Sequence, residues 1–128
     1  MSTRSEEEIT REVKAHAARN AALLDRIREL GATLDSPRVI DYHFWAPTRE
    51  AAGILVATLV DKGLTDLSAT PPNAEGPWSV EGQLHESATF VASLKVTEEL
   101  VRLAADSGGE YDGWGTSVPE ARPAEQSG

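Results

Sequence analysis

No cysteine occurs anywhere in the chain. That single absence removes disulfide staples, thiolate metal ligands and cysteine nucleophiles together, and it suits a reducing compartment. No run of apolar residues approaches the length of a membrane span. The opening Met1-Ser2-Thr3-Arg4-Ser5, followed by Glu6, Glu7 and Glu8, has no apolar stretch of the signal-peptide kind. A cytoplasmic protein is the expectation. No glycine-rich phosphate loop follows a strand and opens a helix, so nucleotide binding by that route has no support. No internal repeat is evident.

Basic residues are scarce. Lys and Arg number 12 against 21 Asp and Glu, a formal charge of −9. The imbalance is uneven: residues 1–34 carry six basic and six acidic side chains, whereas residues 35–128 carry six basic and fifteen acidic ones. Such a field repels phosphate backbones, because nucleic-acid affinity is built largely from Lys and Arg displacing counterions. A basic protein surface is the better partner, with solubility alone as the plainer explanation.

What is present suffices for one folded domain. The length of 128 residues, with 40% hydrophobic and 26% charged residues, lies in the ordinary globular range. Ser5-x-x-Glu8 is a capping box that opens a helix with Ile9, Val13, Ala17, Leu23, Leu24, Ile27 and Leu30 on one stripe. Asn20 interrupts that stripe, and Gly31 ends the helix. After the linker Leu34-Asp35-Ser36-Pro37, residues 39–46 read as a first strand. Thr48 caps a second helix with Ala52, Leu55, Val56 and Leu59 on one face, closed by Gly63. Residues 64–70 form a second strand stopped by Pro71 and Pro72, and Asn73 to Pro77 form an exposed connection. Residues 78–86 alternate as a third strand. Ser87 caps a third helix bearing Phe90, Leu94, Leu100, Val101, Leu103 and Ala104, which ends at Gly108-Gly109. Residues 110–118 are the last strand, and 119–128 read as a disordered tail.

The order strand, helix, strand, strand, helix, strand matches the ferredoxin-like βαββαβ arrangement: a four-stranded antiparallel sheet with two helices on one face. The expected division is an N-terminal amphipathic helix at 1–34, the α+β domain at 35–118 and the tail at 119–128. The first helix is free to cover the other face, an edge, or a second copy of the chain, which leaves a homodimer open.

Few residues carry chemistry. His16, His43 and His85 have none of the close spacings that place two metal ligands on one element. With Ile40, Tyr42 and Phe44 facing the core, His43 and Trp45 point to the opposite sheet face, as do Glu81, Gln83 and His85. A pocket between His43, Glu81 and His85 is therefore one candidate site, for a small molecule or a metal, set against ordinary solvated sheet residues. No catalytic set, cofactor or metal site is assigned. The densest unusual segment is Gly108-Gly109-Glu110-Tyr111-Asp112-Gly113-Trp114-Gly115, where glycine within a strand marks a bulge or a close approach. It reads either as a packed strand or as a binding surface.

That segment, with Asp35-Ser36-Pro37-Arg38 leading into His43-Phe44-Trp45 and with Trp78-Ser79-Val80, resembles the RraB family of regulators of ribonuclease E activity over about residues 8–118. The resemblance implies a ferredoxin-like, acidic, non-catalytic protein that attaches to ribonuclease E and lowers its RNA-cleaving activity. Interface hot spots are a few aromatic or Arg anchors amid polar groups. The expected partner-binding residues are accordingly His43, Trp45, Glu81, His85, Tyr111, Asp112 and Trp114. Gly108, Gly109, Gly113 and Gly115 form the structural motif around the last of these.

Overall fold

A computed structural model of the chain describes residues 5–73 and 76–116. Helix α1 spans Glu6–Glu29, and its capping box is complete: the Ser5 hydroxyl accepts from the Glu8 amide while the Glu8 carboxylate accepts from the Ser5 amide. Strand β1 (Arg38–Ala46) leads into helix α2 (Arg49–Asp61), whose first turn is capped by Thr48. Strands β2 (Thr65–Thr70) and β3 (Trp78–Glu86) follow. A short helix α3 (Ala88–Val91), helix α4 (Leu94–Asp106) and strand β4 (Glu110–Thr116) complete the order.

The sheet runs β2-β3-β1-β4 and every pairing is antiparallel. With the helices on one face and α1 preceding the first strand, this is the ferredoxin-like α+β architecture. Ile40, Tyr42, Phe44 and Ala46 alternate inward from β1 and meet Ala52, Leu55 and Leu59 of α2 and Leu100, Val101 and Ala104 of α4 in one buried core. Each Ile, Leu, Val or Phe among them contributes about 1.5–3 kcal/mol when fully buried. No helix among the described residues is long and apolar enough to cross a membrane.

One helix was expected after Ser87, and there are two. Ser87 caps α3 through the Phe90 amide, the chain leaves helical form at Ala92, and Ser93 caps α4 through the Val96 amide. The interruption breaks the 3.6-residue phase, so Phe90 and Leu94, read with Leu100, Val101 and Ala104 as carried on one helix, are 46% and 64% exposed. The expected end of the last strand, Val118, the tail at 119–128, and Ala74 and Glu75 of the exposed connection lie outside the described residues.

Helix α1 does not cover the opposite sheet face. It packs beside α4, over the β4 edge of the helical layer. Ile9 and Ile27 are buried there, with Val13, Leu23 and Leu24 packed against the core. Much of the apolar stripe is thus covered within the chain, while Leu30 at its end is exposed.

Candidate functional site

Alternation along β1 and β3 sends two rows of side chains to the face that no helix covers. The register sets Val39 opposite His85, Asp41 opposite Gln83, His43 opposite Glu81 and Trp45 opposite Ser79. Gln83 Nε2–H donates to Asp41 Oδ1 at 2.7 Å, and His43 Nδ1 lies 3.5 Å from Glu81 Oε2, an ion pair when the ring is protonated. His85 does not join them. It sits four residues along β3 from Glu81, about 13 Å at the strand rise. Among the described residues, no group of three or more His, Asp or Glu side chains could hold a metal ion. The pocket expected between His43, Glu81 and His85 is therefore a pair with a distant third.

The sheet is strongly polarised in charge. Its four strands carry Asp41, Asp66, Glu81, Glu86, Glu110 and Asp112 against a single basic residue, Arg38. Arg38 lies off the uncovered face by the same alternation that places Val39 on it. Most other basic side chains among the described residues reside on the helices, where Arg102 forms a bidentate pair with Glu6 and a further bond to Glu98. That pairing holds the Glu6 carboxyl below its usual range, mainly through the hydrogen bond from Arg102.

At the end of β1, Trp45 is 38% exposed on the uncovered face. It is paired in register with Glu110 of β4. The two line a cleft of about 370 Å³ together with Ala46, Pro47, Pro77, Gly108 and Gly109. Gly108 ends α4 with φ +84, and the amides of Gly108 and Gly109 bond back to the carbonyls of Ala105 and Ala104. A Cβ on Gly109 would collide with the Trp45 carbonyl oxygen, so glycine permits this close approach of β4 to β1.

Tyr111 and Trp114, candidates for partner binding on a segment that reads either as packed strand or as binding surface, are interior: they are 1% and 7% exposed. The cause is a bulge. His43 pairs with Gly113 and Phe44 with Tyr111, which leaves Asp112 unpaired and turns both rings to the helix side; Gly113 takes φ +131 at that point. Asp112 is exposed and lines a groove along α1 with His43, Arg19 and Arg26. Gly115 has open space around it and no steric role.

Behind the bulge lies a buried polar seam in which Trp114 and Tyr111 meet residues outside the expected set. Trp114 Nε1–H donates to Asn20 Oδ1 at 2.8 Å, Asn20 Nδ2–H donates to Thr97 Oγ1 at 3.1 Å, and Thr97 Oγ1–H donates to the Ser93 carbonyl at 2.7 Å. His16 stacks on Tyr111 with ring centroids 4.7 Å apart, and its Nε2–H donates to the Tyr111 carbonyl at 3.0 Å. Its Nδ1 then accepts from Arg19 at 2.8 Å. Burial first, and the Arg19 charge second, push the His16 pKa below its ordinary value. Burial likewise raises the Tyr42 and Tyr111 hydroxyls. The one signal in the sequence was Asn20 itself, because a polar residue on a buried stripe requires a partner.

The site therefore consists of an acidic uncovered sheet face, an exposed indole at one end of it, and a rigid seam that fixes β4 behind it. No match is found among curated proteins. The profile of the family described as regulator of ribonuclease activity B, RraB, matches residues 17–116, from the half of α1 that holds Asn20 to the last residue of β4. By fold and by this match over most of its length, the chain belongs to the RraB family.

Proposed function

We propose that this protein is a non-catalytic regulator that docks on a ribonuclease of the E type and lowers its cleavage of RNA. The observation that carries the reading is the uncovered sheet face, where Asp41, Glu81 and Glu110 accompany an exposed Trp45 and the strands' one basic residue, Arg38, alternates to the other side. Aromatic anchors within a polar surround are the usual composition of an interface hot spot. Enzymes that act on RNA hold its phosphates with Lys and Arg. A carboxylate face competes for those same side chains and withholds them from the substrate. Such a partner places the chain in the cytoplasm.

The test is a titration of the purified chain into ribonuclease E from the same source, with cleavage of a single-stranded RNA as readout. Cleavage should fall as a stoichiometric complex forms, the effect should weaken as salt rises, and the chain alone should leave the RNA intact. Undiminished cleavage at excess protein, with no complex on gel filtration at low salt, overturns the proposal.

A further inference from the structure

The acidic face ends in a cleft where a partner side chain can be enclosed. In the cleft at the end of β1, the Trp45 indole, Pro47 and Pro77 supply apolar walls and the Gly108-Gly109 backbone supplies a wall without side chains. Glu110 is the sole charged group among the described residues of that lining. Its carboxylate makes no hydrogen bond or ion pair with any other described residue. An aromatic face beside a carboxylate that is unpaired among the described residues is a complementary setting for a flat cation. A guanidinium can lie on the indole through its face and direct its N–H fork at the carboxylate, whereas an ammonium serves only one of those two contacts well. A phosphate is repelled by Glu110, and a neutral side chain leaves that carboxylate unpaired.

We propose that the cleft between Trp45 and Glu110 receives an arginine side chain carried on a basic, extended segment of the protein partner. The inference rests on the reading above that the chain acts by docking, and it names the residue type that is gripped and the place. Glu81 and Asp41 continue the acidic face away from the cleft along β3 and β1. Neighbouring basic residues of the segment meet those carboxylates as it crosses the sheet, and contribute mostly to the rate and salt dependence of association.

The probes are three synthetic peptides of one length, alternating Ser with Arg, with Lys or with Glu, offered to the full chain at low salt. Affinity is measured by calorimetry and location by amide and indole NMR shifts. The Arg peptide should bind most tightly and shift the Trp45 indole and the Glu110 amide; the Lys peptide should bind several-fold more weakly, and the Glu peptide not at all. Trp45→Ala and Glu110→Gln should each weaken the Arg peptide by about tenfold. Asp61→Asn, the same loss of charge at the far end of α2, should leave it nearly unchanged. Both Trp45 and Glu110 are surface residues, and unchanged unfolding midpoints will show that the variants remain folded.

Equal binding by all three variants, shifts confined to the helices, or no binding of the Arg peptide overturns the cleft. The same variants separate the two proposals in the ribonuclease assay. Inhibition retained by Trp45→Ala and Glu110→Gln removes the cleft and keeps the regulator. Lack of inhibition by the native chain removes the regulator, and the peptide measurements still decide the cleft.

Discussion

The indole N–H of Trp114 is bonded to the side-chain carbonyl of Asn20 at 2.8 Å, across 94 positions of sequence. Through Thr97 the same asparagine reaches the carbonyl of Ser93, the residue that caps α4. Three elements, α1, α4 and β4, are thereby fixed to one side chain. Asn20→Ala should destabilise the fold by about 2–3 kcal/mol, because a buried donor on Trp114 loses its partner and the Thr97 hydroxyl, still bonded to the Ser93 carbonyl, loses the donor it accepts from. Urea unfolding followed by tryptophan fluorescence measures this, and a midpoint equal to the native one would show that the seam contributes nothing.

His16 makes the same seam sensitive to acid. Its folded pKa lies below the ordinary value through burial and the Arg19 charge, with the Tyr111 carbonyl, Asp112 and Glu110 acting in opposition. The unfolded chain therefore binds the proton more readily than the folded one. The contribution of His16 to stability is full above about pH 6.5, the unperturbed value, and is lost as the pH falls from there toward the folded value. Urea midpoints taken through that window should fall more steeply for the native chain than for His16→Gln, whose amide can still donate to the Tyr111 carbonyl. Parallel slopes would assign the acid sensitivity to other groups.

Much of the fold was legible because local rules agreed with the tertiary outcome. Ser5 with Glu8 and Thr48 marked helix starts, and the alternation of Ile40, Tyr42 and Phe44 told which face His43, Trp45, Glu81 and His85 would occupy. Alternation fixes the face of a residue and says nothing of its position along the neighbouring strand. Hence His85 was expected beside His43 and is found opposite Val39, and Glu110 was not seen as the partner of Trp45. Tyr111 and Trp114 are three apart, a spacing that puts them on opposite faces of a regular strand. The extra residue at Asp112 turns both inward, and a bulge depends on the pairing partner as much as on the glycine that permits it.

The close approach at Gly109 yields a contrast within one strand and its entry. In Gly109→Ala the new methyl meets the Trp45 carbonyl, a backbone atom that cannot yield without moving β4 from β1. A loss of about 1–3 kcal/mol is expected, the usual cost of overpacking. The Arg peptide should also bind less tightly as Glu110 is displaced from Trp45. Gly115→Ala, where nothing stands within 4 Å of the added carbon, should be close to neutral in both measurements. If the two substitutions behave alike, contact with Trp45 is not what requires glycine at 109.

Tyr111 presents the opposite case, a side chain whose polar end has no partner. Its ring packs between His16 and Phe44, with centroids at 4.7 Å and 5.2 Å, while its hydroxyl is buried and has no hydrogen bond among the described residues. Burial also keeps that hydroxyl protonated by raising its pKa. The stabilisation therefore comes from the ring, and the oxygen carries an uncompensated desolvation cost. Tyr111→Phe should leave stability unchanged or raise it by about 1 kcal/mol, whereas Tyr111→Ala should lower it by about 3–5 kcal/mol through the cavity it leaves. Thermal unfolding of the two variants decides the matter, since a Phe variant that loses more than about 1 kcal/mol would require a bond to the hydroxyl.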